Sequence, residues 1–163
     1  MLALSLMGMV FAQKDLVSAV FDKYAGVEGF TIVNVTGDML KLITQAEAEL
    51  RDTTFTSTLS EVRILALEKD CDKPVAINLR AELYDKLDKS VYKEMLSVKQ
   101  EGEDIVILVK ELNGRIAELL IIAGGQNENA LIQVKGDMLL SEMAGMAGKY
   151  QMKGFEQLKK LEK

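Results

Sequence analysis

Asn113-Gly114 is the dipeptide that most restricts what this 163-residue chain folds into. Both residues tolerate positive φ, which a two-residue hairpin turn requires, and they stand between two strand-like runs, Asp104–Leu112 and Arg115–Ala123. Two more runs of the same kind flank them: Tyr92–Lys99, with Gly102 in the gap, and Ala130–Lys135, after Gly124-Gly125. Together they predict a four-stranded antiparallel meander. Read alone, Tyr92–Lys99 also fits the continuation of a preceding helix.

Upstream the period changes. Leu16, Val17, Val20, Phe21 and Tyr24 recur at helical spacing within residues 14–25, and Gly26 and Gly29 end that helix. Phe30–Val35 reads as a strand. Gly37-Asp38 breaks it, with Asp38 suited to cap a second helix whose Met39, Leu40, Leu42, Ile43 and Ala46 turn inward. Residues 52–60 form a Thr/Ser-rich loop, 61–67 a further strand, and Pro74 suits the first turn of a third helix through Leu79, Leu83 and Leu87. Leu139, Leu140, Met143 and Met146 return to helical spacing, and a Lys/Glu-rich helical tail (149–163) carries Phe155, Leu158 and Leu161. The expected fold is α+β: one domain over 13–148, a two-layer sandwich of an antiparallel β-meander, about five to six strands, packed against about three to four helices.

Two patterns ask for an explanation in space. Residues 32–40 echo residues 131–139: each reads as a strand, a Gly-Asp break, then the start of a helix. One solution to a strand-to-helix turn used twice accounts for this, as does an ancient duplication; turn chemistry favours the former. In Arg115–Ala123, Leu119, Leu120, Ile121 and Ile122 are all apolar, where a half-buried antiparallel strand alternates. Either both faces of that strand are covered, or one offers an apolar patch to a partner.

The N-terminus reads as an address. Of residues 1–12, ten are apolar and the others are Ser5 and Gly8, with no charge before Lys14. The run is too short to span a bilayer and ends Val10-Phe11-Ala12, a pattern signal peptidase accepts before Gln13. The expectation is a cleaved secretory signal over 1–12 and no membrane span afterwards. The run lacks the basic stretch that normally opens such a signal, so the expected start lies upstream of Met1 or at another codon.

The side-chain inventory excludes several chemistries. There is no histidine, which removes the commonest general base and most zinc sites. Cys71 is the one cysteine; it sits between Asp70 and Asp72, whose charges disfavour a thiolate. Val75 stands where a calcium loop built on Asp70 and Asp72 needs glycine. Asp85 with Asp88, and Glu101 with Glu103 and Asp104, are paired acids, the raw material of a glycosidase, though such acids are usually solvated. Met143 and Met146, with Met138 and Met152, have the sulfur chemistry of a Cu(I) site and the spacing of a core. Asn34-Val35-Thr36 fits an N-glycosylation pattern on a strand, and Asp52-Thr53-Thr54 an O-glycosylation pattern in a loop. A net charge of −5 argues against nucleic-acid binding. No residue is assigned a catalytic, cofactor or metal role.

Phe21-Asp22-Lys23-Tyr24-Ala25-Gly26 with Glu28-Gly29-Phe30-Thr31 resembles the opening of the domain of unknown function 4252 family. Arg63-Ile64-Leu65, Tyr92–Lys99, Gly102, Leu108-Val109-Lys110-Glu111, Gly114–Leu119 and Gly136-Asp137 follow in the family's order, so that the resemblance runs from about Lys14 to Met146. It implies a small exported protein of Bacteroidetes and a strand at Tyr92–Lys99; it brings no activity. The expected role is a non-enzymatic binding domain in the periplasm or at the cell surface of a Gram-negative bacterium. Its partner would be another envelope protein or a ligand. Alternatives are an envelope regulator working with a membrane sensor or anti-sigma system, and a carboxylate-dependent hydrolase.

Overall fold

A computed structural model describes residues 15–46, 58–67, 77–100, 102–125 and 129–141. Residues 1–12, Asp52-Thr53-Thr54, Asp70-Cys71-Asp72, Pro74, Glu101, Met143, Met146, Met152 and the tail lie outside them.

Helix α1 (Leu16–Tyr24) starts where the Asp15 carboxylate accepts the Val17 N–H at 3.3 Å. Its Val17, Val20, Phe21 and Tyr24 form one buried stripe. Gly26 and Gly29, both at positive φ, turn the chain into β1 (Phe30–Thr36). Helix α2 (Gly37–Ala46) follows directly. Its cap is Thr36, whose Oγ1 accepts the Met39 N–H at 3.4 Å; Asp38, the expected cap, already lies in the first turn. Strand β2 (Leu59–Leu67) comes next. Helix α3 (Leu79–Leu83) is capped by Asn78, which accepts the Ala81 N–H at 3.0 Å. It tightens into a 3₁₀ turn, Tyr84–Lys86, and so ends earlier than the leucine spacing predicts; Leu87 still reaches the core.

Strands β3 (Tyr92–Gln100), β4 (Glu103–Leu112), β5 (Arg115–Gly125) and β6 (Asn129–Met138) complete the described elements. Asn113 (φ 53°) and Gly114 (φ 78°) make the β4–β5 turn as the dipeptide predicts. All strands pair antiparallel in one six-stranded sheet ordered β1-β2-β6-β5-β4-β3. The meander β3–β6 is therefore present, and β1–β2 extends it at β6.

Both faces of the sheet are apolar. Under α1 and α3 lie Leu65, Val106, Leu108, Leu120, Ile122 and Leu131. The opposite face holds Leu59, Ile107, Val109, Ile116, Leu119 and Met138, with Leu40 of α2 packed against them. This explains the run Leu119–Ile122: Leu120 and Ile122 belong to the first cluster, while Leu119 and Ile121 turn to the second. Simple burial accounts for the run.

The echo holds for the strands and not for the break: Gly37 opens α2, whereas β6 runs on through Gly136-Asp137 to Met138, and the shared part has a packing cause. β1 and β6 flank β2 in one register: Ile32 and Leu131 both face Leu65, Val33 and Ile132 face Ile64, Asn34 and Gln133 face Arg63, and Val35 and Val134 face Val62. Each echoed glycine then lies against the start of β2. A Cβ on Gly37 would stand 2.9 Å from the Leu59 carbonyl oxygen, and one on Gly136 would stand 2.5 Å from that of Thr58. The repeated motif is what fits beside one strand from either side.

Candidate functional site

The paired acids of the sequence do not converge. Asp85 and Asp88 are exposed, and Asp88 accepts both the backbone N–H of Ser90 (2.8 Å) and its hydroxyl (2.6 Å). Those bonds hold its carboxyl below the usual range. Asp104 instead pairs with Arg80 of α3 at 3.3 Å. Met138 is buried in the second cluster, as a core methionine is. Asn34 sits on β1, and its Oδ1 accepts the Arg63 Nε–H at 3.2 Å.

Two polar clusters that the sequence did not mark lie around the first core. In one, Tyr92 of β3 donates its hydroxyl to Glu118 Oε2 at 2.9 Å, and Gln133 of β6 donates Nε2–H to Glu118 Oε1 at 2.6 Å. All three residues are buried. Burial, then the Glu118 carboxylate, pushes the Tyr92 phenol far above its ordinary value. It therefore keeps its proton, and the cluster acts as a clasp joining β3, β5 and β6. In the other, Lys23 and Tyr24 of α1 both donate to the Glu82 carboxylate of α3.

Burial alone would raise the Glu82 carboxyl, but the hydrogen bonds from Lys23 and Tyr24 outweigh it and hold the group below its ordinary value. A depressed folded-state value means stability present above the unfolded carboxylate range and lost as pH falls through the folded value. Glu82→Gln is thus expected to cost at most about 1 kcal/mol at pH 7, since Lys23 is half exposed. The difference in melting temperature from the parent should close below about pH 3; a gap constant with pH would contradict this.

What remains is an apolar edge. Val27, Val33, Met39, Leu42 and Ile43 are exposed large hydrophobics, and all sit in the turn before β1, on β1, or on α2. Expected to turn inward, Met39 and Leu42 are 50% and 60% exposed. The reason is that α2 lies at the end of the sheet, over β1 and β2, and only Leu40 of its apolar residues is packed into the second cluster. The two outer strands also differ. β3 carries Lys93, Glu94 and Lys99 and a bulge at Met95, devices that blunt an edge. β1 has no charged residue and no proline, and it pairs with β2 without a register shift. Among the described residues no three metal-ligating side chains gather, and no helix is long and apolar enough to cross a membrane.

A family model described as a domain of unknown function, DUF4252, matches residues 24–146, a span that includes the whole β1–α2 edge. No curated protein and no solved structure matches the chain.

Proposed function

The chain belongs to the DUF4252 family, and from that premise we propose that it is an exported cell-envelope protein that works by binding, with the β1–α2 edge as its contact surface. One observation carries this reading: of the nine exposed large hydrophobics among the described residues, five lie on or just before an uncharged outer strand and on the helix beside it, the other four being Val91, Leu112, Leu139 and Leu140, while the other outer strand is charged and bulged. Side chains of that kind left in water mark interaction surfaces. The buried Tyr92–Glu118–Gln133 cluster fits a structural role, which is why the reading is not an enzymatic one. Export is supported by the apolar run 1–12 and its Val10-Phe11-Ala12 end.

A photo-crosslinking residue at Leu42 is expected to give a covalent product in the native host. The same residue at Leu112, equally exposed at the β4–β5 turn, is expected to give none. Equal labelling from both positions would remove the edge as the contact surface. N-terminal sequencing of the protein from the envelope should begin at Gln13, and an intact Met1 would remove export by cleavage.

A further inference from the structure

We draw no further inference here: the strongest candidate, the apolar patch of Val33 on β1 with Met39, Leu42 and Ile43 on α2, belongs to the contact surface already proposed, and nothing in the structure shows what covers it.

Discussion

Phe21→Ala is expected to destabilise the fold by about 3–5 kcal/mol, the range for truncating a fully buried ring. Phe21 is 1% exposed and sits at the centre of the α1 stripe, packed with the sheet residues of the first cluster. Truncation removes the ring from that core and leaves a cavity that the sheet beneath does not fill. It also strands Arg63, whose guanidinium carbon stands 3.9 Å from the ring centroid. Arg63 keeps its bonds to Asn34 (3.2 Å) and to the Ser18 hydroxyl (3.3 Å), so its charge stays anchored while its aromatic support is lost. In urea the unfolding midpoint should fall sharply, and in a thermal scan the melting temperature should drop by roughly 10 °C. A loss below about 1.5 kcal/mol would mean that α1 is not held through this ring.

Glu118→Leu should cost about 3 kcal/mol by a different route. The leucine is apolar and of similar bulk, so little volume is lost. What is lost is an acceptor for two buried donors at once, the Tyr92 hydroxyl and the Gln133 amide. Gln133 Oε1 has no hydrogen-bond partner, so after the substitution the whole amide is unsatisfied. Each buried donor left without a partner costs about 1–3 kcal/mol. The control is to remove the donors as well: adding Tyr92→Phe and Gln133→Leu to Glu118→Leu should recover most of the loss, because polar groups removed together leave nothing unsatisfied. Urea unfolding of the single and triple variants checks this. A triple variant weaker than the single one would show that the cluster stabilises beyond mutual satisfaction.

Local chemistry explains why much of the fold is legible in the sequence. Asn113-Gly114 announces its turn, and apolar periodicity places α1 and five of the six strands to within a few residues; Tyr92–Lys99, equally open to a helix on its pattern alone, is a strand by the family resemblance. The long-range order is not legible: nothing local says that β2 sits between β1 and β6, although the echo of residues 32–40 in 131–139 is the visible trace of it. The apolar edge escapes for a related reason. The spacing of Met39, Leu42 and Ile43 is that of a buried helix face, and whether such a face meets a core depends on where the sheet ends. The Tyr92–Glu118–Gln133 cluster is hidden because its members lie far apart in the sequence on three strands, and meet only through the pairing of those strands.

The common register of β1 and β6 has a consequence for the order in which the chain folds. β2 is offered the same pattern twice, so its own side chains do not discriminate between the two suitors; time of arrival does. β1 ends at Thr36 and β2 opens at Leu59, whereas β6 opens only at Asn129, after α3 and the strands β3–β5. Closing the shorter loop is faster, so β1 claims β2 first and the late strand completes the sheet on the vacant side. Pairing of β1 with β2 is therefore expected to precede pairing of β6 with β2, and pulsed hydrogen exchange during refolding should find β1 protected before β6.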